Sequence, residues 1–418
     1  MNDLFILEFK KIAKKRMNII VIAVCLVIVA GLFALPVKQF IVLDTDGKQL
    51  MGGAAIEQEK IYENAFAGEL TDERIQTNIA AYQALFDDPQ NVSQDSETKK
   101  LNDTAYYKYF FPYYDYWRLI NGNYTKPTLF DSSFSAITNM RLENGIDFYG
   151  AREEKINVLL NQIYVDWNFS ESEKAFWTNR TAAIETPFEY SYHAGWKTLL
   201  SCAELFVIAI IAICICVSGV FSGEYQSGAA SIILSSQYGK SKLVTAKILA
   251  ALAYSLAAFT LFIVVGCGIQ LFSFGFGGWD LPLQVLNSIA PYHISLLGAT
   301  LLAIATLYLI LLGMVSAALL LSAKMKSTVP VLVVVIFIMM LPMFLGISQT
   351  SGIWNRILEL LPYRAAQPVF SHEFFAYFGY PIGGLTFDIV TMRIIGYTLF
   401  ALLCLPFAKR AWMKHQVM

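Results

Sequence analysis

Charge is scarce in this sequence. Asp, Glu, Lys and Arg make up 15% of its 418 residues against 56% hydrophobic ones, and histidine occurs four times. An ordinary soluble domain carries about 25% charged residues, so this composition argues against one. The formal net charge of −1 names no partner by itself, and no nucleic-acid partner is expected. Cysteine is absent from residues 38–197; Cys25, Cys202, Cys214, Cys216, Cys267 and Cys404 all lie in or beside apolar runs. A disulfide scaffold is thereby excluded, and Cys214-x-Cys216 reads as small apolar packing residues. His193, His293, His372 and His415 are scattered, with no metal spacing and no nucleophile–base pairing. Gly239-Lys240-Ser241 lacks the earlier glycine of a phosphate loop, since Leu234 holds that place. Gly275 to Gly278 are glycine-rich without a following dinucleotide-binding unit. The chain is therefore not expected to be an enzyme, to hold a cofactor or to bind a metal.

Long apolar runs are plentiful. About 20 apolar residues cross a bilayer, and such runs occupy 17–35, 198–221, 243–272, 294–321, 328–347 and 388–407. Backbone groups cannot stay unpaired in lipid, so these runs predict helices. The expected fold is an all-α polytopic membrane protein: six transmembrane helices with a large, mainly helical extracellular domain between helices 1 and 2. The exit of the first run, Ala34-Leu-Pro36-Val, lacks a small-x-small cleavage site, so that run reads as a retained span.

Lys and Arg set the orientation. One set of flanks carries Lys10, Lys11, Lys14, Lys15, Arg16, Lys240, Lys242, Lys247, Lys324, Lys326, Lys409, Arg410 and Lys414. The long loop 38–197 holds 24 acidic and 15 basic residues, a net of −9. Both termini and 222–242 should then be cytoplasmic, 38–197 extracellular, and the chain a multi-pass protein of the plasma membrane.

Residues 1–16 form an amphipathic stretch, either an interfacial helix or a basic flank that sets topology. In the loop, Thr71 precedes the helical stripe Ile75, Ile79, Tyr82 and Leu85, and Ser170-x-x-Glu173 is a capping box. Gln90 to Thr98 is a polar loop. Tyr113, Tyr114, Tyr116 and Trp117 lie in an aromatic run that reads either as domain core or as an extracellular patch contacting lipid or peptide. Residues 348–387 suggest short interfacial helices, one at 353–361 and one over the aromatic stretch 370–379. A tail follows at 408–418.

Charges inside apolar runs cost a few kcal/mol and seek partners. Glu204 in the second run and Arg393 in the last, with Asp388 at its mouth, are expected to approach each other, as a substrate path or gate, or else to serve as an interhelical staple or as groups that snorkel to the headgroups. Gly313, Ser316 and Ala317, with Gly31 and Ala34, would allow close helix contact.

The polar segment after the second run carries Phe221, Glu224, Tyr225, Gly228, Ile232-Ile-Leu234, Ser235, Tyr238-Gly239-Lys240-Ser-Lys242 and Ala246-Lys247. This pattern resembles the ABC-2 type permeases, the membrane subunits of ATP-driven exporters, with Gln237 where that family usually has Pro. The resemblance implies a coupling helix, Ala229 to Gln237, bounded by Gly228 and Gly239. Glu224 would sit near its N-terminal end, and the helix would dock into an ATP-binding subunit. It implies two copies of that subunit, which bind the ATP and Mg, and a second permease, identical or homologous. The cargo would be amphipathic or hydrophobic: a peptide antibiotic, a drug or a lipid. The alternatives are an ATP-driven mechanotransmission protein, or a peptide-sensing or immunity protein acting through its extracellular domain.

Overall fold

A computed structural model describes residues 2–44, 46–93, 100–127 and 134–414. Part of the polar loop after Gln90, and His415, lie outside the described residues.

The chain begins with α1 (Asn2–Ala13), breaks at Lys14 and Lys15, and enters α2 (Arg16–Lys38). An insertion follows. It holds β1 (Ile41–Leu43), β2 (Gln49–Met51), α3 (Gly53–Ala65), β3 (Gly68–Glu69), α4 (Asp72–Ala84) and α5 (Asp103–Ala105). It continues with α6 (Tyr114–Tyr124), α7 (Ser135–Thr138), α8 (Phe148–Asn161), α9 (Glu171–Ala182), β4 (Glu189–Tyr190) and α10 (Ala194–Ser201). β1 pairs with β2 and β3 with β4, both antiparallel. Thr71 caps α4, and Ser170 and Glu173 form a complete capping box on α9. The polar N-termini of these helices are thus satisfied inside the insertion.

Beyond a 3₁₀ turn at Ala203–Phe206 run α11 (Val207–Val217), α12 (Gly219–Gln226) and the short α13 (Ala229–Ser235). Then come α14 (Lys242–Phe274), α15 (Leu296–Lys324), α16 (Thr328–Phe344), α17 (Gly352–Leu358) and α18 (Pro362–Ala365). The antiparallel hairpin β5 (Gly379–Ile382) and β6 (Leu385–Asp388) leads into α19 (Ile389–Met413).

Five helical segments among the described residues are long and apolar enough to cross a membrane: Arg16–Lys38, Ala203–Gln226, Lys242–Phe274, Leu296–Lys324 and Ile389–Met413. α16 has 17 residues and is shorter. At 1.5 Å per residue it spans about 26 Å, just under the ~30 Å hydrocarbon core.

α11 is apolar all round and sits at the centre of the bundle core, with Ala209, Ile210, Ile213 and Val217 fully buried. A second core gathers Trp117, Ile120, Trp177 and Tyr190 from the insertion with Leu283 and Ile289 after α14 and Phe370 and Tyr377 after α18. The insertion and two later connections are therefore one packed body, which also takes in Leu296 and Ala299 of α15 and Ile389 and Val390 of α19.

Two expected boundaries differ. The helical segment expected at 198–221 breaks at Cys202 and runs on to Gln226. It runs on because Glu224 finds two cations there and the Ser222 hydroxyl donates to the Ser218 carbonyl. Residues 370–379 are not a helix. Phe375–Tyr377 form a 3₁₀ turn, and Ala376, Tyr377 and Phe378 are buried in the second core on the way into β5. Gly383 and Gly384 both take positive φ in the two-residue turn of that hairpin.

α15 and α19 pack tightly at Gly313, where an added Cβ would lie 3.0 Å from the Tyr397 ring. Gly31 on α2 has open space within the chain. Gly313→Leu should therefore destabilise the purified protein by about 1–3 kcal/mol through overpacking, read as a lower unfolding midpoint in detergent. Gly31→Leu should leave that midpoint within error.

Candidate functional site

Four charges meet where α1, α12 and α14 converge. The Lys247 ammonium, 1% exposed, donates to Glu8 Oε2 at 2.9 Å and to Glu224 Oε1 at 2.8 Å. Lys11 donates to Glu8 Oε1 at 3.2 Å and to Glu224 Oε1 at 3.3 Å. The ring alternates in sign and is neutral in sum. Each element supplies a charge it could not bury alone: α1 gives Glu8 and Lys11, α12 gives Glu224, and α14 gives Lys247. Breaking such a pair from one side leaves a buried charge uncompensated, at a cost of about 3–5 kcal/mol. The N-terminal helix is thereby fastened to the bundle as well as being amphipathic.

Glu224 lies on α12 with its carboxylate turned into this ring, so it anchors the approach to α13 and is not part of the outward face. α13 itself follows Gly228, whose φ of +72° favours glycine although nothing stands within 4 Å of its missing Cβ. Gly239 closes the segment for a different reason: a Cβ there would lie 1.6 Å from the Ile233 carbonyl oxygen. The helix ends at Ser235, two residues short of the expected Gln237.

Ala230 and Leu234, four residues apart, face inward and are buried, while Ile232 is 76% exposed. Leu234 thus roots the helix and Ile232 is presented. The Ser231 and Ser235 hydroxyls donate back to the Gly228 and Ile232 carbonyls. Lys240 is exposed, and the Lys242 ammonium lies 4.9 Å from the Tyr238 ring centre.

The segment is tied down at both flanks. Trp412 of α19, fully buried, donates its indole N–H to the Gly239 carbonyl at 3.1 Å and packs on Phe221 and Tyr225. The Tyr225 hydroxyl donates to the Ala323 carbonyl at 3.0 Å, and Ser322 Oγ accepts from the Phe221 and Ser222 amides. Glu8, Lys11 and Trp412 lie outside the sequence pattern of this segment, and Lys247 is its last residue. Lys247 carried a readable signal, a cation at the start of an apolar run; its partners lie too far away in sequence to be read.

The charges toward the other end of the bundle are arranged differently from the expected pair. Arg393 meets Glu359 at 3.4 Å, not Glu204, and also donates to the Glu359, Arg364 and Gln367 carbonyls. Glu204 Oε2 accepts from the Gln367 side-chain amide at 2.6 Å. Gln367 therefore joins the two indirectly. Asp388 caps α19 by accepting from the Thr391 amide at 2.7 Å and pairs with Arg180 of α9 at 2.5 Å. Arg393 thus gives its donors to the Glu359 carboxylate and to carbonyls of the connection that runs from Glu359 to Gln367. Of the aromatic run, Tyr116 and Trp117 are core, Tyr113 is half-buried, and Tyr114 is exposed.

Lys247→Met should lower stability by about 3 kcal/mol, since Glu8 and Glu224 would share Lys11 alone. Adding Glu8→Gln should recover part of that loss, so unfolding of the double variant in detergent should fall short of the sum of the singles by at least about 1 kcal/mol.

Comparison with curated proteins found no match, and comparison with solved structures found none. A family model described as ABC-2 family transporter protein matches residues 3–374, which include α1, the insertion, the ion ring and α13. The chain belongs to the ABC-2 family of transporter proteins, as a membrane-spanning permease.

Proposed function

We propose that this chain is the permease subunit of an exporter, driven by a separate ATP-binding subunit that docks on α13. The observation that carries this reading is a short, solvent-facing helix with an exposed isoleucine, rooted by a neutral ion ring to three helices at once. A push on Ile232 would be passed through Leu234 and Glu224 to α12 and α14, and through Lys247 to α1. A partner groove that receives α13 would move the ends of two spans together.

In this reading both termini and residues 227–241 face the cytoplasm, α16 is the sixth crossing of the plasma membrane, and the insertion is extracellular. Two ATP-binding copies carry the ATP and Mg²⁺, and a second permease, identical or homologous, completes the path. The cargo is amphipathic or hydrophobic, of the class of peptide antibiotics, drugs or lipids. A second reading, binding at the insertion without transport, is favoured by a cavity at the foot of the insertion.

Co-reconstitution with the ATP-binding subunit in vesicles tests the first reading. Ile232→Asp buries a charge in the docking groove; an anchor of this kind is worth about 2 kcal/mol or more. ATP-dependent cargo movement should fall at least about tenfold, while Ile163→Asp, at an equally exposed site on the insertion, should leave it unchanged. Full transport by Ile232→Asp would contradict docking at α13. Cargo binding without any ATP-dependent movement in the wild type would favour the second reading.

A further inference from the structure

Where the insertion meets the bundle, a cavity of 230 Å³ opens between the residues just after α2, the outer face of α3, the start of α6 and the start of α10. Its polar floor is acidic. Glu59 and Glu63 stand four residues apart on α3 and so share one face. Asp115 lies in the first turn of α6. Carboxylate oxygens of the three lie within 4.8 Å of one another. Glu63 is 5% exposed; its Oε2 accepts from the His193 amide at 2.8 Å, and its Oε1 has no hydrogen-bond partner. Glu63 lines the cavity, and a buried carboxylate oxygen without a donor is costly to keep there.

The surrounding cations pair only with Asp115 of this floor, and one of them, Lys197, lines the cavity itself. Lys197 pairs with Asp115, and Arg118 stands 3.8 Å from the same carboxylate. His193 is fully buried, and burial holds its pKa down at about 4, so it is neutral at pH 7. Burial, followed by mutual repulsion with neighbouring carboxylates, pushes Glu59 up to about 8; burial likewise pushes Glu63 to about 8. The remaining walls are mostly aromatic, with Ile41, Val42, Pro112 and Ala194 between the rings. Tyr62, Phe66, Tyr113 and Tyr190 line the space, with Phe66 and Tyr113 ring centres 5.1 Å apart.

We propose that this cavity binds an organic ammonium ion, with the ammonium on Glu59, Glu63 and Asp115 and its apolar body against the aromatic wall. An ammonium has three donors to match three carboxylates, and aromatic faces attract it further. A hard divalent ion asks for six or more oxygens, and here Lys197 and the His193 amide already take one oxygen each from Asp115 and Glu63. The space is also far larger than an ion needs. The site stands apart from the transport reading, because occupancy requires neither ATP nor a partner chain.

Calorimetry on the full chain in lipid nanodiscs tests it, with phenylethylammonium, its neutral analogue phenylethanol and calcium as probes. The amine should bind saturably, and the alcohol should bind at least about tenfold more weakly. Glu63 also holds the His193 backbone, so Glu59→Gln is the cleaner variant; it should weaken the amine about tenfold without shifting the unfolding midpoint. The acids must ionise to receive the cation. Affinity should therefore rise by about tenfold or more from pH 6.5 to 9, and Glu59→Gln should flatten that rise. Equal affinity for the alcohol, displacement of the amine by calcium, absence of amine binding, or wild-type affinity in Glu59→Gln would each overturn the proposal.

Discussion

The Lys247 ammonium is almost wholly out of water, and the end of the bundle that carries α13 is organised around it. A cation in that position requires anions within hydrogen-bond reach. The two it has come from different parts of the chain: Glu8 on the N-terminal helix and Glu224 at the end of the second long apolar segment. Lys11 then restores neutrality. Because the ring closes only when α1, α12 and α14 are all in place, it fixes their relative positions better than apolar contact does, since apolar surfaces can slide. The same constraint explains why the second apolar helix runs on to Gln226, and why the chain turns outward only at Gly228.

From this anchored frame the short helix gains its character. It is too small to hold its own shape in water. Leu234, Trp412 and the ring hold it from below, and its outer face is left free. A rigidly rooted element with an exposed apolar tip transmits force, whereas a flexible loop would absorb it. Toward the other end of the bundle, Arg393 and Asp388 do the quieter work of fastening α19 to the connections before it and to α9. The insertion shares its core with those connections, so both ends of the long helices are mechanically continuous with folded structure.

Much of this was legible in the sequence, for identifiable reasons. Bilayer-length apolar runs leave the backbone one choice, so their helical character was open to reading. Thr71 and Ser170 announced helices because a cap needs only local geometry. Gly228 announced a turn. What was not legible depended on distance. Arg393 had several acids to choose from, and only the fold brings Glu359 within reach. Glu8 looked like one polar residue on an amphipathic helix until α14 supplied Lys247. The aromatic run could not be divided into core and surface without the packing that buries Tyr116 and Trp117 and leaves Tyr114 outside. The β5–β6 hairpin did carry a signal, the Gly383-Gly384 pair between two short runs, and it was masked by the apolar stretch around it.

The central claim is that an ATP-binding partner takes hold of α13. A photoreactive side chain placed at Ile232, in membranes containing the chain and its ATP-binding subunit, tests that claim most directly. The account expects a covalent adduct between the two chains whose yield depends on nucleotide, with no adduct from the same group at Ile163. An absence of adduct at Ile232 in a complex that still hydrolyses ATP and moves cargo would contradict it.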